Sequence, residues 1–444
     1  MKIIIVGAGE VGTHLSKLLS KENQDIILID PDEEKLDFPS NSEILTIQGN
    51  PTSIEGLKAA GIKAADMFIA VTPEESTNMT ACMLAHNLGA KRTIARIDNG
   101  EYLDPKNMKL FAGLGVDSLI CPETLAAEEI ISALKQPWTR QWWDIAEGKL
   151  ILIGTKIREN APIVNKYLYE LGAGERFYHI VAIKRGNETI IPGGQDRILA
   201  GDLIYFTTTN ASIDKIKRET GKEDLDIRHV TLMGGGRIAL RVCERLPHNV
   251  RVKLLEINKE KSYRIAEKVP ENVLVINGDG RDTDLLIQEN IKNCDAFIAL
   301  TGNSEANILA CVAAKNFGVF KTVAEVENLD YIQMAEKLDI GSIINKKLIA
   351  SSHIYRFLLR ADVSTVKCLA FAHADVAELT ARAGSKITRK KVKDLHLPKD
   401  MTLGGKISNG KAEIIGGETL IQPGDHVLVF CLNTAMRKIE NYFK

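Results

Sequence analysis

One internal repeat constrains this chain more than any other feature. The run Phe68-Ile-Ala-Val-Thr72 returns as Phe297-Ile-Ala-Leu-Thr301, 229 positions later. Asn78, Ala81, Cys82 and Gly89 return at the same offset as Asn307, Ala310, Cys311 and Gly318, and Asp66 is answered by Asp295. The stretch from Thr93 through Asn99 to Tyr102 matches Thr322 through Asn328 to Tyr331. Farther on, Gly194, Gly201 and Asp202 reappear as Gly417, Gly424 and Asp425, so the offset slips by only a few residues. A fixed period on this scale makes each half a structural unit of its own. The chain is a tandem duplication, roughly 1–225 and 226–444.

Each half divides again by its pattern. From Lys2 to about Asn99, and from Arg228 to about Asn328, short aliphatic runs such as Ile26–Ile29 and Val273–Ile276 alternate with helical stretches. That alternation predicts βαβ units and a parallel sheet. Residues 125–137 and 346–360 read as helix, and Pro137 breaks the first of them before Trp138, Trp142 and Trp143. Beyond it the runs become short and strand-like, with a hairpin turn at Arg185-Gly-Asn187 and another at Asn409-Gly410. The expected architecture is α/β: two Rossmann-like doubly wound parallel-sheet domains, each followed by a small α+β domain. The expected boundaries are 1–137, 138–225, 226–360 and 361–444, each parallel-sheet domain carrying its linking helix.

The chemistry-bearing motif is Gly7-Ala-Gly9-Glu-Val-Gly12, directly after the first strand and opening a helix that runs to about Leu19. In that setting the first glycine permits the tight turn, the second lets a pyrophosphate approach the backbone, and the third lets helix and strand pack closely. The phosphates would rest on the helix N-terminus. Asp30 ends the second strand, where a carboxylate accepts hydrogen bonds from ribose hydroxyls and repels a 2′-phosphate. The second half repeats the arrangement as Gly234-Gly-Gly236-Arg-Ile-Ala239, with Glu256 ending its second strand. A turn that binds nothing is the alternative reading of either loop. Gly49-Asn50 and Gly278-Asp279 end the third strands, and Thr72 and Thr301 the fourth; these positions suit either ligand contact or loop and cap duties.

Other chemistries lack their residues. A dehydrogenase needs an acid or base beside its cofactor, and none stands out with a partner at a recognisable spacing, so no catalytic residue is assigned. Tyr102 and Lys106 have the spacing of short-chain dehydrogenases, but Pro105 would interrupt the helix that must carry both. His14, His86, His229 and His353 have no paired ligand spacing, and no metal is assigned. With 57 Lys and Arg against 58 Asp and Glu, the scattered charge offers no footprint for nucleic acid. Seven cysteines without a CxxC pair fit a reducing compartment better than a disulfide framework. No apolar run approaches the roughly twenty residues of a membrane span, and Met1 leads straight into a strand, so membrane association is expected only through a partner.

The glycine loop, the acidic strand end, Gly-Asn or Gly-Asp, Ile-Ala-Val-Thr, Asn78 and then Ile94-Ala-Arg-Ile-Asp-Asn99, twice over, resemble the TrkA family. These are peripheral cytoplasmic regulators of bacterial potassium uptake, built from two RCK (KTN) nucleotide-binding domains, each with a small C-terminal domain. The resemblance covers essentially the whole chain. It implies a homo-oligomeric ring, a tetramer by preference, on the inner face of the membrane beneath a TrkH-like potassium-translocating subunit. It also implies that bound NAD(H) or ATP/ADP shifts the ring and gates transport. The family's nucleotide contacts fall on Gly7, Ala8, Gly9, Glu10, Val11, Asp30, Thr72 and Arg96 in the first half. In the second they fall on Gly234, Gly235, Gly236, Arg237, Ile238, Glu256, Asp279 and Thr301. The halves differ where Arg96 becomes Glu325 and Glu10 becomes Arg237. Because phosphate attracts Arg and repels Glu, the expectation is a second site that tolerates a polyphosphate and a first that prefers a dinucleotide, unless Arg96 and Arg237 serve only in salt bridges. The readings set against this one are an RCK-type regulator of another transporter or antiporter and an NAD-dependent oxidoreductase.

Overall fold

The structure, a computed structural model, describes residues 1–20, 24–37, 43–171, 177–355, 357, 363–369, 374–432 and 436–443. They form two compact units. The first comprises Met1–Leu125 and Lys346–Phe357. Its sheet is built from β1 (Lys2–Val6), β2 (Asp25–Asp30), β3 (Ile44–Gln48), β4 (Met67–Ala70), β5 (Thr93–Arg96) and β6 (Ser118–Ile120). All six are parallel, in the order β3-β2-β1-β4-β5-β6. Central strands of such a sheet are covered on both faces and read as unbroken aliphatic runs. Ile3, Ile4, Ile5 and Val6 accordingly have no solvent exposure. The strand order reverses between β1 and β4, which opens a crevice at the carboxyl ends of the strands, where the helix Glu10–Ser20 begins. The helix Lys346–Tyr355, far along the chain, packs against Glu10–Ser20 in this unit.

The second unit, Ala126–Asn345 with Leu358–Lys444, holds three sheets. The first contains β7 (Gln141–Ile145), β8 (Leu150–Lys156), β9 (Tyr178–Arg185), β10 (Glu188–Ile190) and β11 (Leu203–Thr208). These are antiparallel, in the order β10-β9-β11-β8-β7. The second sheet is parallel, with β12 (His229–Met233), β13 (Arg251–Glu256), β14 (Val273–Asn277), β15 (Ala296–Ala299), β16 (Lys321–Glu325) and β17 (Ser342–Ile344). Its order, β14-β13-β12-β15-β16-β17, reproduces the first half strand for strand. The third sheet contains β18 (Val363–Leu369), β19 (Ala374–Thr380), β20 (Met401–Ser408), β21 (Lys411–Ile414) and β22 (His426–Leu432). Its order, β21-β20-β22-β19-β18, repeats that of the earlier antiparallel sheet. The duplication read from sequence is therefore a duplication of topology.

The two antiparallel sheets meet within this unit. Tyr205 and Phe430 face each other with ring centroids 6.0 Å apart, and His179 hydrogen-bonds Thr402. A side chain at Gly404 would stand 2.5 Å from the Thr207 hydroxyl, so the sheets approach where one residue has none.

The sequence-level punctuation has clear physical outcomes. The helix expected at 125–137 runs Pro122–Lys135 and stops before Pro137. The one expected at 346–360 runs Lys346–Tyr355; residues 356 and 358–360, and with them the division at 360/361, lie outside the described residues. The β20–β21 turn places Asn409 and Gly410 at φ 49° and 76°, the left-handed pair that a two-residue hairpin requires. Pro105 opens the helix Pro105–Gly113, while Tyr102 lies in a separate turn, Gly100–Leu103, so the Tyr-x-x-x-Lys spacing does not put both residues on one helix. Among the described residues no helix is long and apolar enough to cross a membrane.

Candidate functional site

In the first half the chain leaves β1 through Gly7, whose φ of 100° only glycine adopts readily and whose N–H donates to Ile29 O at 2.8 Å. A Cβ there would meet the backbone N of Thr72 at 2.8 Å, and one at Gly12 would fall 1.8 Å from Gly7 O. Gly9 is different: nothing lies within 4 Å of the direction its Cβ would take. The first and third glycines therefore close the turn and seat the helix, while the second faces open space. The N–H groups of the first turn of Glu10–Ser20 have no partners within the helix and carry the positive end of its dipole.

Asp30 braces this loop. It is 6% exposed, and its two carboxylate oxygens accept from Ala8 N–H at 2.6 Å and from Asp32 N–H at 2.9 Å. Each oxygen keeps further acceptor capacity for a ribose hydroxyl. Glu256 does the same work in the second half, accepting from Gly235 N–H at 3.0 Å and Asn258 N–H at 3.0 Å. It also accepts from the Lys261 ammonium at 2.7 Å. Burial alone would raise the Glu256 carboxyl, but these three donors hold it below its ordinary range. Gly234 repeats the conformation of Gly7 with φ 99° and an N–H bonded to Leu255 O. Val11 and Ile238 are buried helix anchors behind the loops, and Arg237 is exposed at the first position of the helix Arg237–Arg245.

Thr72 and Thr301 follow the ends of β4 and β15 by two residues, beside the loops, and each is fixed by one asparagine. Asn78 Oδ1 accepts from the Thr72 N–H at 2.9 Å and hydroxyl at 2.7 Å, while its amide donates to Thr72 O and Arg96 O. Asn307 repeats all four bonds with Thr301 and Glu325 O. Both asparagines are completely buried. They staple the ends of neighbouring strands and set the crevice floor; their recurrence at the fixed offset was the available signal.

The charged candidates already have protein partners. Arg96 donates to Glu123 at 3.1 Å, although its buried Nε and Glu123 Oε2 have no hydrogen-bond partner among the described residues. Glu10 pairs with Lys347 at 3.1 Å, an ion pair supplied by the helix Lys346–Tyr355. Asp279 is gripped by the Arg281 guanidinium at 2.6 and 2.9 Å, which holds its carboxyl below the usual range. Its counterpart Asn50 folds back onto Thr52. Lys347, Lys261 and Arg281 escaped sequence reading because each takes its meaning from a partner that only the fold brings near. Among the described residues no group of three or more His, Cys, Asp or Glu is placed to hold a metal ion.

Comparison with known proteins agrees with this architecture. The TrkA-N domain model matches residues 3–122 and 230–346, and the TrkA-C domain model matches 152–221 and 376–444. The Trk system potassium uptake protein TrkA of Halomonas elongata is 31% identical over 455 residues, covering 100% of this chain and 99% of that protein. Its namesake from Haemophilus influenzae is 32% identical, covering 97% and 95%. Among solved structures, the GsuK RCK domain superposes with a TM-score of 0.62 at 15% identity, covering 100% of this chain and 94% of that one. The GsuK channel bound to NAD gives 0.61 at 15%, covering 100% and 78%. Two glycine loops braced by acidic strand ends, two Asn staples and two matches to each domain model, over the full length of its relatives, place this chain in the TrkA family.

Proposed function

We propose that this chain is a non-enzymatic regulatory subunit of a potassium uptake system, binding one adenine nucleotide at each glycine loop and passing its occupancy to a membrane potassium-translocating subunit. The observation that carries the reading is the matched pair of loops. Each presents a second glycine with room for a Cβ beside it, wholly open at Gly9 and with Leu300 O at 3.8 Å at Gly236, together with a helix N-terminus and a buried carboxylate tied to the loop backbone. The ligands are NAD(H), ATP or ADP, in keeping with relatives that are Trk uptake proteins and with fold neighbours solved with NAD and with ADP. Contacts are assigned to Gly7–Val11, Asp30, Thr72 and Arg96, and to Gly234–Ile238, Glu256, Asp279 and Thr301. The proposed setting is the cytoplasmic face of the membrane, in a ring of chains, tetrameric by preference, beneath a TrkH-like subunit. Each chain works there as four parts, divided near 137, 225 and 360.

A nucleotide moves such an assembly only through unequal affinity for its two shapes. The loops carry opposite charge at Glu10 and Arg237, so the second site should rank ATP above NADH more strongly than the first does. The test is calorimetric titration of the nucleotide-free chain with NADH, NAD, ATP and ADP, alone and with Gly9→Asp or Gly236→Asp, beside solution scattering. Two binding events, each removed by one substitution, with different rankings and a change of shape, are expected. Absence of binding would overturn the reading; identical rankings would overturn the charge argument.

A further inference from the structure

Away from both loops, the second unit crowds positive charge around one carboxylate. Asp339 follows the helix Leu329–Lys337 of the second parallel-sheet domain. Arg140 forms an ion pair with it, and so do Arg158 at 2.6 Å, Lys315 at 3.0 Å and Lys156 at 3.4 Å. Three of these cations come from the first small domain, around β7 and β8, so Asp339 is where that domain is fastened to the second parallel sheet. Lys222, after the helix Ile213–Thr220, joins the same electrostatic group and makes no ion pair within 4 Å among the described residues. The nearby Glu336 is taken by Lys184. Four cations therefore pair with one carboxylate, Lys222 stands in their field without an ion pair of its own among the described residues, and Glu336 adds a second negative charge that Arg140 also feels.

Their crowding is registered on the groups themselves. Burial, together with Arg158, Arg140 and Lys156, brings Lys222 down to about 8. Lys315 is lowered by burial even though it touches Asp339. Burial would raise the Asp339 carboxyl, yet Arg140, Arg158 and Lys315 hold it well below the carboxylate range. Like charges gathered at one carboxylate repel each other, so an anion carrying more than one charge would offset what Asp339 alone leaves uncompensated. The outer cations are reachable from solvent, the Arg158 side chain being 50% exposed and that of Lys156 25%, while Arg140, at 14%, lies behind them. Guanidinium and ammonium groups converging from a strand end, its flanking loops and a helix are the donor set that phosphate oxygens select.

We propose that Arg158, Lys156, Lys222, Lys315 and Arg140 form an anion site of phosphate class, separate from the glycine loops, that locks the first small domain onto the second parallel-sheet domain. Its occupant is inorganic phosphate or the phosphate group of a nucleotide. The test is calorimetric titration of inorganic phosphate at low salt into the full chain carrying both Gly9→Asp and Gly236→Asp. One phosphate per chain is expected, and Arg158→Gln, at a half-exposed position, should weaken it about tenfold or more, the scale of a charged hydrogen bond. Arg158→Lys should recover part of that loss. Phosphate should also raise the melting temperature of the unsubstituted chain and not that of Arg158→Gln. AMP displacing phosphate from the loop-blocked chain identifies a nucleotide as the source, and failure to displace identifies the free ion; both agree with the site. Loss of phosphate binding on blocking the loops, or binding indifferent to Arg158→Gln and Lys156→Gln together, would overturn it.

Discussion

Asn78 shows how much a single side chain can settle. It is buried beneath the crevice and ties four polar groups of two strand ends, so Asn78→Ala leaves the Thr72 N–H and two carbonyls without partners in a dry site. The expected cost is about 2–4 kcal/mol of unfolding free energy, the scale of broken buried hydrogen-bond networks. Urea unfolding followed by circular dichroism reads it, and a change under about 0.5 kcal/mol would mean that the staple bears no load. Asn307→Ala should behave alike. At this scale legibility was uneven. Gly7, Gly12 and Asp30 were readable because strand, turn and helix fall in immediate succession. Asn78 was visible only as a repeated letter, since three of its four bonds go to backbone groups 6 and 18 residues away and main-chain atoms leave no mark in sequence. Arg96 read as a phosphate partner, and what the sequence could not show is that the guanidinium also meets Glu123, which lies 27 residues on.

Helix seating separates the two halves at the scale of elements. Gly12 packs so tightly on Gly7 O that a methyl group cannot enter, whereas the second half carries Ala239, fully buried, at the same position. The helix Arg237–Arg245 must therefore sit slightly off its strand, and Glu10–Ser20 close against its own. Gly12→Ala should cost about 1–3 kcal/mol by overpacking and weaken nucleotide binding at the first loop. Ala239→Gly should cost about 1 kcal/mol, from helix propensity, and leave the second loop competent. Thermal unfolding with NADH titration of both variants decides the matter; equal losses at the two positions would contradict the difference in seating. Element types and order were legible, since hydrophobic period and turn residues are local properties. The docking of Lys346–Tyr355 against Glu10–Ser20 was not, because a helix's apolar face records that it is buried and not against what.

Across the second unit as a whole, one buried charge ties stability to pH. Lys321 starts β16, is 3% exposed, and donates to Thr139 O at 2.7 Å and Ser342 Oγ at 2.9 Å, with no carboxylate in ion-pair reach among the described residues. Burial, and then the positive charge of Arg140, bring its ammonium down to about 7. An unfolded lysine titrates near 10.5, so between these values the unfolded chain binds the extra proton and the folded chain does not. The resulting penalty on folding is full below pH 7, shrinks as pH rises, and disappears above the unfolded value. Lys321→Met removes this titration while keeping the volume filled. The unfolding free energy of the parent minus that of Lys321→Met should therefore climb by a few kcal/mol between pH 6.5 and 9, a difference in which the tyrosines and cysteines common to both chains cancel. Urea denaturation at four or five pH values measures it. A flat difference would mean that Lys321 stays charged in the fold, held by a partner its surroundings do not supply. A rising one would mean that the strand joining the second parallel sheet to Thr139, just ahead of β7, is fastened by a neutral amine, leaving the neighbouring Arg140 with its charge directed at Asp339.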